Sequence, residues 1–139
     1  MKIKWIALFL SGILCTFTVF AGNTESFEAI AKKQGFFFFY SSSCPHCQRF
    51  APVLQAFSKR YGFKVLAISA DGGFLPDFPD AVMDEGQLRN FEVTVFPSLF
   101  LVNPANHSAS LVTEGNIDEA ELSRRILKIL DVQSGKVQI

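Results

Sequence analysis

Residues 36–52 of the chain read FFFFYSSSCPHCQRFAP, and this stretch decides which fold the chain can form. Residues 36–40 are too few to span a membrane and are rich in β-forming side chains, which predicts a strand buried on both faces of a sheet. From Pro45 to Tyr61 the apolar residues recur at helical spacing, and Gly62 ends the segment. The sequence therefore places two cysteines, Cys44 and Cys47, at the junction of a buried strand and a helix.

The predicted position of the cysteines gives each a different chemistry. Pro45 takes the first helical position, where its missing N–H costs nothing, so Cys44 lies at the helix N-terminus. Free backbone N–H groups and the helix dipole stabilise a thiolate there, and a protonated His46 would add to this effect. Cys47 lies one turn further on and deeper, where it can attack a mixed disulfide at Cys44. We predict Cys44 as the nucleophile and Cys47 as the resolving thiol.

Zinc and haem are the alternative uses of such a cysteine pair. A closed zinc site needs four ligands, but one histidine, His46, stands between the cysteines and the other, His107, is far along the chain. Covalent haem attachment needs a histidine directly after the second cysteine, where this chain has Gln48. We therefore expect a redox pair with no metal, and no cofactor other than a reversible Cys44–Cys47 disulfide.

The rest of the chain alternates between helical and strand patterns. Asn116, followed by Glu119 three residues later, resembles a capping box at the start of the last helix. The alternation predicts an α/β domain with a parallel core and an antiparallel hairpin at one edge. The other predicted segments are helices at 24–33 (with Thr24 as its cap) and 83–90, strands at 64–70, 98–102 and 110–113, and a loop at 71–80.

The N-terminal segment has the pattern of a signal peptide. Lys2 and Lys4 precede an apolar run at 5–20, and Ala21 is a suitable cleavage point. An uncleaved anchor is the alternative, but this run would rise only about 24 Å as a helix, short of the ~30 Å hydrocarbon core. We expect residues 1–21 to be removed, leaving a single domain at 22–139 that is periplasmic and has no stable membrane insertion.

Composition narrows the choice of partners. The chain has 139 residues, 49% of them hydrophobic, which fits one folded domain. Thirteen Lys plus Arg against thirteen Asp plus Glu leave no net charge, so no positive field draws the protein to nucleic acid. We expect no nucleic-acid partner.

Two motifs carry a family resemblance. CPHC after an aromatic strand, followed by Ala51 and Pro52, closely resembles the active-site helix of the thioredoxin superfamily. FEVTVFPSLFLV at 91–102 is similar to the segment that carries that superfamily's cis-proline. The resemblance implies a thioredoxin fold, a central mixed β-sheet flanked by helices. It also implies that Pro97 is cis and lies against the Cys44 sulfur, with the backbone of Phe96 binding an extended substrate.

A narrower resemblance comes from the loops. SCPHCQRFAPVL at 43–54, ADGGFLPDFP at 70–79 and PSLFLVNP at 97–104 are together similar to the TrbB/TraF-type proteins of conjugative-transfer systems. The dipeptide Pro45-His46 is that of DsbA, which implies that these residues tune the pair to an oxidising or isomerising potential. Two positions depart from the superfamily pattern: Phe38 replaces a buried acid, and Phe96 is bulkier than the usual residue before the cis-proline.

The predicted function is that of a periplasmic thiol:disulfide oxidoreductase, a disulfide oxidase or isomerase. Its substrates would be cysteine-containing exported proteins, including those of a conjugation or related secretion apparatus, and its redox partner would lie in the membrane. Two alternatives stay open: a thiol reductase fed by a membrane donor, and a non-catalytic chaperone that uses the same peptide groove.

Overall fold

The computed structural model describes residues 26–135, and its elements follow the predicted order except for one additional short strand, β3, before the third helix. The predicted signal peptide, 1–21, lies outside the described residues. The elements are α1 (Phe27–Ala31), β1 (Gly35–Tyr40), α2 (Pro45–Tyr61), β2 (Val65–Ser69), β3 (Val82–Met83), α3 (Gln87–Asn90), β4 (Ser98–Asn103), β5 (Ser108–Glu114) and α4 (Glu119–Gln133).

The strands form one mixed sheet in the order β3-β2-β1-β4-β5. β1 pairs in parallel with β2, and β2 with β3, whereas β4 is antiparallel to both β1 and β5. The predicted fold class, a mixed sheet flanked by helices, is confirmed. β1 and β2 are parallel and β4 is antiparallel to them. The segments that follow β1 and β2 and the segment that precedes β4 therefore all lie at the same edge of the sheet, the one formed by the carboxyl ends of β1 and β2.

Aromatic side chains fill both faces of β1. Alternate side chains of a strand point to opposite faces, so Phe36, Phe38 and Tyr40 share one face, on which α2 and α4 pack. Phe37 and Phe39 lie on the other face, where their rings are 5.3 and 5.4 Å from that of Phe91. The core on the first face also contains Phe50, Leu54 and Phe57 of α2 and Leu122 and Ile126 of α4.

The largest difference from the sequence prediction lies at 82–90. A helix was expected at 83–90, but only Gln87–Asn90 is helical, and Val82–Met83 form a short edge strand with Ile68 opposite Val82. An unpaired edge of β2 gives these two residues backbone partners that a local helical pattern does not reveal.

Two helix caps also differ from the prediction. The side chain of Ser26 caps α1, so the predicted start at Thr24 is wrong. Asp118 caps α4 by accepting a hydrogen bond from the backbone N–H of Glu121, which displaces Asn116 from the predicted role. Within residues 26–135, no helix is both long enough and apolar enough to cross a membrane.

Candidate active site

Cys44 and Cys47 lie at the start of α2, at the edge of the sheet where β1 and β2 end. Cys44 is the N-cap, with extended φ and ψ of −79° and 117°, and Pro45 follows in the first turn. Both thiols are free; Cys44 is partly exposed, and Cys47 is fully buried. Only Cys44 can therefore meet a protein substrate without a change in the fold.

The first turn of α2 makes Cys44 acidic. Its partial burial raises the pKa of the thiol, but hydrogen bonds from the backbone N–H and the thiol of Cys47 and from the backbone N–H of His46, together with the charge of Arg49, outweigh this. The net result is a pKa below the ordinary value for cysteine. Cys44 thus carries more thiolate at neutral pH than an unperturbed thiol.

Arg49 is a residue near Cys44 that the motif alone does not indicate. The charge of its side chain lowers the pKa of Cys44, whereas His46 does so through its backbone N–H. The side chain of His46 is exposed, as is Pro45. The available signal was helical geometry: Arg49 lies in the second turn of α2, close to the end that carries the sulfur.

Cys47 has the opposite electrostatics. Burial raises the pKa of its thiol to about 12, with further contributions from Cys44 and from the carboxylate of Asp71, while the backbone N–H of Ser41 opposes the shift. Phe38, at the position of the superfamily's buried acid, is fully buried in the same core cluster as Cys47. Cys47 is therefore a protonated thiol at neutral pH.

The segment before β4 completes the site. The Phe96–Pro97 peptide bond is cis, and Pro97 is buried. The Cys44 thiol donates a hydrogen bond to the Phe96 carbonyl oxygen, with 3.8 Å between sulfur and oxygen. The Ser98 hydroxyl donates to the Val95 carbonyl at 2.7 Å and fixes this turn. The structure thus places the backbone of Phe96 beside the reactive sulfur.

The alternative that the cysteines bind a metal ion depends on further ligands close to them. In the part of the chain that the structure describes, no group of three or more His, Cys, Asp or Glu side chains is arranged to hold a metal ion. His107 lies in the exposed turn between β4 and β5, far in sequence from the cysteines.

Comparison with solved structures shows which known fold this architecture resembles. The pneumococcal exposed lipoprotein thioredoxin Etrx1 from Streptococcus pneumoniae superposes with a TM-score of 0.56 at 18% identity, over 74% of this chain and 89% of its own. This similarity shows the thioredoxin fold. The predicted thioredoxin fold is thereby confirmed.

Sequence relatives identify the family within that fold. Protein TraF of Escherichia coli K12 is 30% identical over 109 residues, 78% of this chain and 44% of its own. Protein TrbB of the same strain is 30% identical over 102 residues, 70% of this chain and 56% of its own, so the chain spans about half the length of these relatives. A family model described as TraF, F plasmid transfer operon protein, matches residues 21–127. The chain therefore belongs to the TraF family.

Proposed function

We propose that the protein is a periplasmic thiol:disulfide oxidoreductase that exchanges disulfides with exported proteins through Cys44. The observation that carries this proposal is the asymmetry of the pair. Cys44 is partly exposed with a lowered pKa, whereas Cys47 is buried with a pKa of about 12. A structural disulfide needs no such difference, but a nucleophile and a resolving thiol do.

In the oxidising direction the reaction starts from the Cys44–Cys47 disulfide. A substrate thiolate attacks the Cys44 sulfur, the Cys44–Cys47 bond breaks, and Cys47 leaves as a thiolate that takes up a proton. A second substrate thiolate then attacks the substrate sulfur of the mixed disulfide and releases Cys44. The substrate loses two electrons and the cysteine pair gains them, and the disulfide of a membrane redox partner restores the pair.

In the isomerising direction the reaction starts from the free thiols. The Cys44 thiolate attacks a substrate disulfide and forms a mixed disulfide, and the released substrate thiolate attacks another substrate sulfur until Cys44 is displaced. If the mixed disulfide does not rearrange, Cys47 attacks the Cys44 sulfur and releases the substrate. The substrate then leaves with reduced thiols, and the Cys44–Cys47 pair is left as a disulfide. The lowered pKa of Cys44 favours both directions, because at neutral pH it leaves more thiolate for attack than an unperturbed thiol has and makes Cys44 a better leaving group.

The substrate class follows from the surroundings of Cys44. The backbone of Phe96 offers hydrogen-bonding groups next to the sulfur, which fits an extended polypeptide of variable sequence. The chain belongs to a family whose description is 'F plasmid transfer operon protein'. This membership supports the proposal that the substrates include proteins of a conjugation apparatus. Export by residues 1–21 would bring the enzyme to them, and cell fractionation tests this location.

Cysteine variants test the proposed chemistry. Cys44→Ser should reduce the rate of disulfide formation in a reduced, unfolded test protein to background, because the attacking sulfur is lost. Cys47→Ser, incubated with a substrate that contains a disulfide, should instead accumulate mixed disulfides, visible by non-reducing electrophoresis. The Cys44 thiolate attacks the substrate disulfide and releases one substrate thiolate, but no second thiol of the pair resolves the product. Two results together would contradict the proposal and identify a chaperone. The wild type would catalyse no disulfide exchange, and a variant with both Cys44→Ser and Cys47→Ser would prevent aggregation of the test protein as well as the wild type does.

The reduction potential of the Cys44–Cys47 pair decides whether the protein oxidises or reduces its substrates. We expect the Cys44–Cys47 pair, equilibrated in glutathione buffers, to lie nearer the roughly −120 mV of DsbA than the roughly −270 mV of thioredoxin, because a stabilised thiolate favours the reduced form. A value at the thioredoxin end would identify a reductase and contradict the oxidase and isomerase assignments.

A further inference from the structure

Asp71 joins two loops at the edge of the sheet that carries Cys44. We call residues 41–43, between β1 and Cys44, the serine loop, and residues 71–73, after β2, the glycine loop. One oxygen of Asp71, Oδ2, accepts hydrogen bonds from the Ser41 hydroxyl at 3.0 Å, the Ser42 backbone N–H at 3.0 Å and the Ser42 hydroxyl at 2.8 Å. Oδ1 accepts from the Ser69 hydroxyl at 3.1 Å and the Gly73 N–H at 3.0 Å.

This number of donors is unusual for an exposed side chain. Four donors point to Asp71, and a fifth, the Ser69 hydroxyl, shares its one proton between Asp71 and the Gly73 carbonyl. An ionised carboxylate, which only accepts, suits such a set of donors. The Gly73 N–H and the Ser42 hydroxyl hold the pKa of Asp71 far below its usual range, so the group stays charged at every pH at which the protein works. The contacts between the two loops therefore do not titrate under working conditions.

Gly73 brings the two loops into direct contact. A Cβ atom at Gly73 would clash with the Oγ and Cβ of Ser42, so a larger residue fits only if Ser42 moves. The Gly73 carbonyl accepts hydrogen bonds from the Tyr40 hydroxyl at 2.9 Å and the Ser69 hydroxyl at 2.7 Å. The glycine loop is thus tied to the end of β1 as well as to the serine loop.

The serine loop in turn holds Cys44. The Ser41 carbonyl accepts a hydrogen bond from the Cys44 N–H at 3.2 Å. The Ser42 carbonyl accepts one from the Gln48 side chain at 2.9 Å, which joins the loop to the first turn of α2. Asp71 therefore fixes the two residues whose carbonyl groups hold Cys44 and the start of α2.

We propose that Asp71 is a positioning residue: through Ser41 and Ser42 it keeps the Cys44 sulfur at the N–H groups of the first turn of α2, and so sets the redox potential of the cysteine pair. This role rests on the proposed function, although its effect on the Cys44 thiol can be measured without any substrate. Asp71 does not touch the Cys44 sulfur and acts on it through the serine loop, while its charge also raises the pKa of Cys47.

The substitution Asp71→Asn separates positioning from simple charge. The amide keeps the size of the side chain, but its NH₂ group cannot accept the hydrogen bonds that one carboxylate oxygen accepts now. If Asp71 acted only as a nearby negative charge, its neutralisation would lower the pKa of Cys44. If it positions the sulfur, the released serine loop weakens the hydrogen bonds to the thiolate, and the pKa of Cys44 rises.

The test uses protein purified after expression of the full chain. In Asp71→Asn we expect the rate of Cys44 alkylation by iodoacetamide, at a pH below the pKa of the thiol, to fall about tenfold, as for a rise of about one pKa unit. The equilibrium constant with glutathione should also change about tenfold, about 30 mV toward a more negative potential. An unchanged or faster alkylation rate would overturn the proposal.

A double-mutant cycle tests whether Asp71 acts through the serine loop. Ser42→Ala removes one of its hydrogen bonds and should slow alkylation in the same direction by a smaller factor. The variant with both substitutions should be no slower than Asp71→Asn alone, because the two residues act through one contact. Additive effects would show independent action and would refute the proposed route.

The matched control is Asp118→Asn, an aspartate whose side chain also accepts a backbone hydrogen bond but which caps α4 far along the chain. Asparagine is a good N-cap, so this variant should keep the wild-type alkylation rate. If the wild type catalyses no exchange, the proposed function fails, yet the alkylation rates of Cys44 still decide whether Asp71 positions the sulfur.

Discussion

Two cysteines three positions apart differ in chemistry because they differ in surroundings. The Cys44 sulfur faces the N–H groups of the first turn of α2, whereas the Cys47 sulfur is enclosed by apolar side chains. A thiolate is stabilised by the first environment and penalised by the second. The two proposed roles, attack and resolution, therefore fall to different residues, and the position of each sulfur in the fold decides which role we assign to it.

Arg49 provides a test at the scale of a single residue. We expect Arg49→Gln to raise the pKa of Cys44, because a positive charge that favours the thiolate is removed, and to slow alkylation below that pKa about two- to threefold, as for a shift of under half a unit. Absorbance of the thiolate at 240 nm during a pH titration measures the shift.

The control for Arg49 is Lys59→Gln, which removes a cation from the last turn of the same helix. This variant should leave the titration of Cys44 unchanged, because an exposed charge at the other end of α2 is screened by salt. Equal shifts in the two variants would show a general effect of net charge and would rule out a specific role for Arg49.

At the scale of elements, the ends of the helices matter both for the chemistry of Cys44 and for the stability of the fold. At the start of α2, Cys44 occupies the cap, so its sulfur lies at the N–H groups of the first turn, which have no partner within the helix. At its end, Gly62 adopts the left-handed conformation, with φ of 82°, and closes the helix. In α4 the cap is conventional, because Asp118 accepts the N–H of Glu121 at 2.8 Å.

The cap of α4 gives a prediction at this scale. Asp118→Ala should lower the free energy of unfolding by about 1 kcal/mol, because a cap hydrogen bond is lost and one N–H is left without its partner. Asn116→Ala, at the position that the sequence pattern favoured, should change it by less than half of that. Urea unfolding followed by circular dichroism measures both, and a larger effect at Asn116 would contradict the assigned cap.

The elements that the sequence predicted well are those with long or repeated patterns. The boundaries of α2 follow from its apolar spacing and from Pro45 and Gly62, and the aromatic run gives β1 almost to the residue. The cysteine pair was visible for the same reason, since its motif is local. Short elements were not: Val82 and Met83 become a strand only because β2 offers an unpaired edge.

Asp71 shows why part of the site was hidden in the sequence. In a loop with two glycines, an aspartate is ordinary turn chemistry, and nothing local indicates that its partners are Ser41 and Ser42, about 30 positions earlier. The contact exists because β1 and β2 are parallel neighbours, so that the loops after them meet. Long-range contacts of this kind follow from topology, which local patterns specify only in outline.

At the scale of the whole molecule, the site and the core share Cys47. Its side chain belongs to the same buried cluster as Phe38, Phe50 and Leu122, so its protonation state is coupled to the stability of the fold. The coupling exists only in the reduced protein, because a disulfide has no proton to lose. Comparison of the oxidised and reduced forms therefore isolates the contribution of the two thiols to folding from that of all other titrating groups.

The two thiols change the stability of the reduced protein in opposite directions. The pKa of Cys44 is lowered on folding, so its contribution is complete above the ordinary pKa of about 8.5 and is lost as the pH falls through the folded value. The pKa of Cys47 is raised to about 12, so its contribution is complete below about 8.5 and is lost as the pH rises toward 12.

We therefore expect the free energy of unfolding of the reduced protein, minus that of the oxidised protein, to rise from pH 5 to about 8.5 and to fall at more alkaline pH. Urea titrations of both forms at several pH values measure this difference, and the disulfide's own effect on the unfolded chain shifts all values equally because it does not depend on pH. Reduced Cys47→Ser should lose the alkaline decline, since serine does not ionise there. A difference that falls steadily from pH 5 would mean that folding does not lower the pKa of Cys44, and the assignment of Cys44 as the nucleophile would then lose its electrostatic basis.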